Sequence, residues 1–255
     1  MSNIIEVKDL CKTYIVNSRQ NNVLRNVNFS LAEGEMLAVM GPSGSGKSTL
    51  LYTVSGMDEM TAGEVIFDGK SLSKLSQAEL SELRLDHMGF IFQQMYMLKN
   101  LTILDNILLP SCQSKKISES RQEKTARAME LMHRQGIAQV CDNSIDEVSG
   151  GQLQRACLCR GLINKPRVIF ADEPTGALNR SASDEVMDML GQVNRDGTTI
   201  ILVTHDSKVA ARCSRVVYIE DGDIRGELSL GSYDGVAPLR DRERAITNWL
   251  MSMGW

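Results

Sequence analysis

No apolar run in this chain approaches the roughly 18 to 20 residues that a membrane-spanning helix requires, so it is not expected to cross a bilayer. The N-terminus, Met-Ser-Asn-Ile-Ile-Glu-Val-Lys-Asp-Leu, carries acids and lacks an apolar centre, and does not read as a secretory signal. There is no excess of positive charge either: 28 Lys and Arg stand against 32 Asp and Glu, for a net charge of −4. Without a basic field a nucleic-acid partner is not expected. The six cysteines, Cys11, Cys112, Cys141, Cys157, Cys159 and Cys213, contain no C-x-x-C pair. Of the three histidines only His133 and His205 fall near a cysteine, too sparse for a zinc site or a disulfide framework. Reduced thiols are the expectation. Internal repeats and low-complexity tracts are also missing. What is present, 42% apolar and 24% charged residues over 255 positions, suffices to bury a large core without covalent staples.

Short apolar runs alternate with amphipathic stretches, the pattern of a mainly parallel sheet covered by helices. Leu37 to Met40, Val168 to Ala171 and Ile200 to Val203 read as buried central strands. They end in Gly41, in Asp172, and in Thr204 followed by His205. Ligands of open α/β sheets collect beyond the carboxyl ends of strands, so these three ends should converge on one site. Val27 to Leu31, Glu64 to Phe67 and Val216 to Ile219 carry antiparallel signals, the last two followed by the turn formers Asp68-Gly69 and Asp221-Gly222. About 95–164 is rich in helix formers, notably Ser118 to Gln135, and reads as a helical insertion. A tail over 231–255 reads as separate. In it Ile246, Trp249, Leu250 and Met253 form one apolar helical stripe, either packed on its own domain or offered to a partner.

Gly41-Pro42-Ser43-Gly44-Ser45-Gly46-Lys47-Ser48 satisfies G-x-x-x-x-G-K-[ST] between a strand and an apolar helix that begins at Thr49. The glycines let successive N–H groups turn inward on a phosphate, and the following helix adds its positive end. Lys47 supplies a fixed cation and Ser48 a hydroxyl oxygen for magnesium. In Val168-Ile169-Phe170-Ala171-Asp172-Glu173 the acids close a buried strand, where a bare carboxylate needs a cation or a cleft. Asp172 suits the metal, and Glu173 suits orienting and deprotonating a water. Ser149-Gly150-Gly151-Gln152 makes a second helix start with exposed N–H groups. Alone it is equally an N-cap with no ligand. Beside a complete phosphate loop, two such grips in one chain favour a head-to-tail homodimer in which each closes on the partner's nucleotide.

These segments, with Gly89-Phe90-Ile91-Phe92-Gln93 and Val203-Thr204-His205-Asp206, resemble in order and spacing the ATP-binding-cassette (ABC) ATPases from Ile4 to Ile224. The resemblance implies an α/β fold: a P-loop NTPase core with a mainly parallel sheet, an antiparallel β subdomain and an inserted α-helical subdomain. It implies one ATP-binding domain over 1–230, ATP and Mg2+ as cofactors, and ATP hydrolysis that drives a separate integral membrane permease. The chain would then lie on the inner face of a bacterial cell membrane. By the same resemblance Tyr14 looks like the aromatic that stacks on adenine, with a packed surface tyrosine as the alternative. Gln93 looks like the loop glutamine that touches the metal and senses the permease, and His205 like the histidine at the γ-phosphate. The expected nucleotide set is therefore Tyr14, Gly41 to Thr49 and Ser149 to Gln152. The metal set is Ser48, Gln93 and Asp172, and the catalytic set is Glu173, His205, Gln93 and Lys47. His87 and His133 are read as structural.

Gly-Phe-Ile-Phe-Gln, Asn-Ile-Leu-Leu-Pro and Phe-Ala-Asp-Glu-Pro-Thr-Gly-Ala-Leu resemble the MacB/LolD/FtsE branch, and within it the BceA-type bacitracin and lantibiotic resistance exporters. The alternative is an FtsE- or LolD-like ATPase serving cell division or lipoprotein release. DNA-repair and translation ATPases of the superfamily tend to carry a long coiled-coil insertion or a second cassette, which this sequence lacks. Asn179 departs from the family's usual aspartate, and Val148 and Cys157-Leu158-Cys159 depart near the signature. Met95, Tyr96, Met97 and Leu98 offer either an apolar seat for a permease helix or packing for the helical subdomain.

Overall fold

The computed structural model describes residues 2–116, 118–176, 178–235 and 238–255. Ala177 of the acidic-strand motif, and Val236 and Ala237 ahead of the tail helix, lie outside them. Strands β1 (Asn3–Val16) and β2 (Arg19–Ala32) form a long antiparallel hairpin. β3 (Met36–Met40) opens a second sheet, while β4 (Ala62–Phe67) and β5 (Lys70–Ser71) complete the first in the order β2-β1-β4-β5. The second sheet adds β6 (Met88–Ile91), β7 (Val168–Asp172), β8 (Thr199–Val203), β9 (Arg215–Glu220) and β10 (Asp223–Ser229), in the order β10-β9-β3-β8-β7-β6. Its neighbours run parallel except for β10 on β9.

β3, β7 and β8 are buried along their whole lengths, as apolar runs covered on both faces should be. Successive side chains face opposite layers. Leu37, Val39, Ile201 and Val203 join a core shared with the first sheet and with α1 (Lys47–Val54). Ala38, Met40, Ile200 and Leu202 face a core shared with α6 (Arg180–Arg195) and α7 (Ser207–Ala210). Between β6 and β7 the chain makes α3 (Ile103–Gln113), α4 (Arg121–Arg134) and α5 (Gly150–Leu162), which enclose a third core of Ile103, Ile107, Met132 and Cys159. Before β6 runs α2 (Gln77–His87).

One expectation changes, and one open alternative is decided. Val216 to Ile219 is antiparallel only toward β10; its other edge pairs in parallel with β3, Val216 opposite Ala38. The Asp221-Gly222 turn reports the hairpin and is silent on the strand's second neighbour. Of the two readings of the tail stripe, the structure takes packing on its own domain: α8 (Leu239–Ser252) packs on the core through buried Ile246 and Leu250. A Cβ on Gly226 of β10 would come within 3.2 Å of Trp249 and 3.1 Å of Met253, so glycine lets both side chains close on the strand without shifting by a few tenths of an ångström. Arg242 then fastens the helix, donating to the carbonyls of Ala211, Leu230, Cys213 and Gly231 at 2.7 to 2.9 Å.

Candidate nucleotide site

The loop between β3 and α1 is shaped by close approach. A Cβ on Gly41 would lie 2.1 Å from the Ile219 carbonyl, and Gly46 has φ +100° with the Val23 carbonyl 2.9 Å from its missing Cβ. No other residue type fits either place without moving backbone. The Lys47 ammonium, which has three donors, spans the loop to the carbonyls of Gly41 and Pro42, each at 2.8 Å. Burial lowers its pKa, and the nearby Glu173 and Asp172 carboxylates partly offset this.

At the end of β7, Asp172 is 8% exposed. It accepts from the Ser48 hydroxyl on Oδ1 at 2.9 Å and from the Tyr52 hydroxyl on Oδ2 at 2.6 Å. Glu173 adopts φ +46°, a conformation costly for a residue with a Cβ and concentrated at working sites. Its amide donates to the Val203 carbonyl at 3.1 Å, which turns the side chain off the strand. Its Oε1 lies 2.8 Å from His205 Nδ1. The carboxylate is mostly shielded at 15% exposure, whereas the imidazole is open at 68%.

A cavity of about 310 Å³ is lined by Ser43, Gly44, Gly46, Lys47, Ser48, Thr49 and Glu173, with Val23 and Val203. The three strand ends thus meet as expected from the sequence. The residues fit a polyphosphate and a hard cation. Ser45 Oγ is buried in the loop and has no hydrogen-bond partner among the described residues. Ser48 and Asp172 offer oxygen donors of the kind Mg2+ prefers. Among the described residues no cluster of three His, Cys, Asp or Glu stands ready to cage a metal.

Other expected residues lie around this centre. Gln93 is exposed, and its amide nitrogen would be 3.2 Å from a Cβ on Gly176, beside the acidic loop. Tyr14 is bonded to Asp58, which Lys12 also holds at 2.6 Å, and the Lys12 ammonium sits 4.6 Å from the Tyr14 ring centroid. None of 149–152 lines the cavity that holds Lys47. Ser149 caps α5, accepting from the Gln152 amide at 3.3 Å while Gln152 Oε1 accepts from the Ser149 amide at 2.9 Å. Gly151 faces Ala182 of α6, 3.8 Å from its missing Cβ. Asn179 caps α6, its Oδ1 accepting from the Ala182 amide at 3.0 Å. That keeps the acceptor an aspartate would supply.

A mainly apolar groove of about 430 Å³ lies on the Gln93 side, lined by Met57, Met88, Phe90, Phe92, Tyr96 and Pro110 among others. Of the run Met95 to Leu98 only Tyr96 contributes; Met97 packs on the helical core and Leu98 points outward. The groove's aromatic lining comes from Phe90 and Phe92 before the glutamine and Tyr96 after it. Three contacts had no motif to announce them. Tyr52 sits on Asp172. Arg160 donates to the Met95 and Tyr96 carbonyls at 2.8 Å each, and Gln154 donates to the Pro174 carbonyl at 2.7 Å. The last two join the helix after Ser149 to both neighbouring loops. Only Tyr52 left a trace in the sequence, one turn beyond Ser48 on the same helix face.

The ABC transporter family model matches residues 24–176. The solved dimeric structure of MJ0796, a bacterial ABC transporter cassette, is 37% identical over 90% of this chain and 100% of its own, with a TM-score of 0.84. The same cassette as a post-hydrolysis dimer bound to ADP and Pi is 36% identical, again over 90% of this chain and 100% of its own with a TM-score of 0.84. The structure of cbiO1 from Clostridium perfringens, part of the ABC transporter complex cbiONQ, is 25% identical over 90% of this chain and 89% of its own, with a TM-score of 0.79. Among the described residues no helix is long and apolar enough to cross a membrane.

Proposed function

From the premise that this chain belongs to the ABC transporter family and is an ATP-binding, ATP-hydrolysing cassette, we propose that two copies sandwich ATP to drive a separate permease. Each nucleotide lies between Gly41 to Thr49 of one copy and Ser149, Gly150, Gly151 and Gln152 of the other. The observation that carries this reading is the separation of the two phosphate grips within one chain, since 149–152 stay outside the cavity around Lys47. The dimeric state of the MJ0796 cassette supports it.

Lys47 and the N-terminal end of α1 neutralise the phosphates, and Tyr14 stacks on the base. Ser48, Asp172 and Gln93 would hold Mg2+, which would supply neutralisation of the phosphate charge. Glu173 orients the attacking water and accepts its proton, and His205 fixes that carboxylate. γ-Phosphate completes the interface and its loss releases it, so closure follows differential affinity for the nucleotide state.

The partner is an integral membrane permease whose cytoplasmic helix occupies the groove at Phe90, Phe92 and Tyr96, holding the cassette at the inner face of a bacterial membrane. The groove's apolar lining and the absence of a spanning helix among the described residues support this. The finer reading is a BceA-type cassette for antimicrobial-peptide or lantibiotic resistance, supported by the wording around Phe90, Asn106 and Asp172. Sedimentation with Mg2+ and a non-hydrolysable ATP analogue tests the sandwich. The wild type should dimerise, and Ser149→Arg should bind nucleotide yet stay monomeric. A strictly monomeric wild type, even with its permease, overturns it. Co-purification of a permease with about ten spans and a large outer domain supports the peptide-resistance reading on topology grounds. A four-span partner replaces it with the FtsE or LolD alternative.

A further inference from the structure

Asp172 has two carboxylate oxygens and two side-chain donors, and only one of those donors belongs to the phosphate-loop motif. Ser48 takes Oδ1; Tyr52 takes Oδ2 at 2.6 Å, the shorter of the two bonds. Ser48 and Tyr52 are i and i+4 on α1, so one helix face presents both hydroxyls to the end of β7. The Tyr52 ring also neighbours an aromatic of the groove wall, Phe92. Its centroid is 6.2 Å from that of Phe92, tilted by 54°, and Phe92 in turn meets Tyr96 edge-on at 5.5 Å. Phe92 and Tyr96 both line the apolar groove.

We propose that Tyr52 is a positioning residue for the metal carboxylate. Its hydroxyl fixes the plane of Asp172 with Oδ1 toward Ser48, and its ring ties that carboxylate to the groove wall at Phe92. The groove thereby has a line to the metal site that does not pass through the Gln93 side chain. This inference rests on the reading of Asp172 as the metal carboxylate. A packing tyrosine could have pointed its hydroxyl at water; this one spends its single donor on a buried carboxylate oxygen, where an unpaired acceptor is costly. Aromatic contacts across tilted and edge-on faces have preferred geometries, so displacing Phe92 moves the ring that holds the carboxylate.

The test compares the affinity of fluorescent trinitrophenyl-ATP in MgCl2 with its affinity in EDTA, a ratio that reports the metal without turnover. Tyr52→Phe keeps the ring and removes the hydroxyl. It should lower the ratio about 10- to 100-fold, the range for a lost hydrogen bond to a charged group, and leave the EDTA affinity at the wild-type value, while the thermal midpoint falls because Asp172 Oδ2 loses its donor. Phe92→Leu should lower the ratio in the Tyr52 background and have no further effect in the Tyr52→Phe background. An unchanged ratio in Tyr52→Phe, or an EDTA affinity that falls in step with it, overturns the positioning role. Equal Phe92→Leu effects in both backgrounds overturn the link to the groove. Asp172→Asn separates the premise: if it leaves the ratio unchanged, the reading of Asp172 fails, whereas a lowered ratio there with none in Tyr52→Phe sinks the Tyr52 inference alone.

Discussion

Glu173→Gln, read together with His205→Ala, is the most discriminating perturbation of this site. Glutamine keeps the size of the side chain and an oxygen for His205, and it meets the same backbone cost at φ +46°. What it loses is the ability to accept a proton. Positioned general bases contribute about 100- to 10,000-fold, or about 2.7 to 5.4 kcal/mol of barrier. Because the carboxylate is only 15% exposed, solvent is poorly placed to take over, and the upper part of that range is expected. His205→Ala removes the 2.8 Å partner of Glu173 Oε1, a hydrogen bond to a charged group worth about 1.5 to 3 kcal/mol, hence about 10- to 100-fold in rate. If His205 acts chiefly by holding Glu173, the double variant should be little slower than Glu173→Gln, with a coupling of about 1 to 2 kcal/mol. Single-turnover phosphate release measures the rates. Trinitrophenyl-ATP binding and nucleotide-dependent dimerisation should persist in Glu173→Gln. Turnover of that variant near the wild-type rate would remove Glu173 from its role, and strictly multiplicative losses would show that His205 works independently of it.

Three further outcomes follow from the geometry. Lys47 binds phosphate as a cation, and its burial-lowered pKa moves loss of that charge below the ordinary lysine range. ATP affinity should therefore fall on the alkaline side at a lower pH than free lysine titration gives, and titration calorimetry across alkaline pH that finds no fall refutes this. Ile246→Ala empties a fully buried site in the core that α8 shares with α7 and the second sheet and should cost about 2 to 4 kcal/mol in urea unfolding; a loss below about 0.5 kcal/mol would mean the tail helix is not part of the core in solution. Native thiol labelling at pH 8 should modify exposed Cys112 first. Cys157 and Cys159 stay unmodified, since burial pushes their pKa values up to about 11 and about 12. Mass mapping that finds either helix α5 thiol labelled ahead of Cys112 contradicts the packing.

The five-residue apolar runs of β3, β7 and β8, the glycines and lysine between Gly41 and Ser48, and the paired acids at Asp172 are local patterns, and local patterns are what a chain states on its own. A continuous apolar run has no exposed face to misassign, and a loop that must admit backbone at 2.1 Å permits nothing but glycine. The same holds for the stripe Ile246, Trp249, Leu250 and Met253, whose helical spacing was plain while its destination was not. That destination is a tertiary fact, set by the core that takes Ile246 and Leu250 and by four carbonyls converging on Arg242. The second neighbour of Val216 to Ile219 is likewise a matter of register with β3, which no turn signal encodes. Tyr52 reaches Asp172 only because α1 and β7, more than a hundred residues apart in sequence, present facing surfaces. The groove is lined from Met57 to Asn164 for the same reason. Sequence spacing determines which residue types recur on one face; packing alone decides what each face meets.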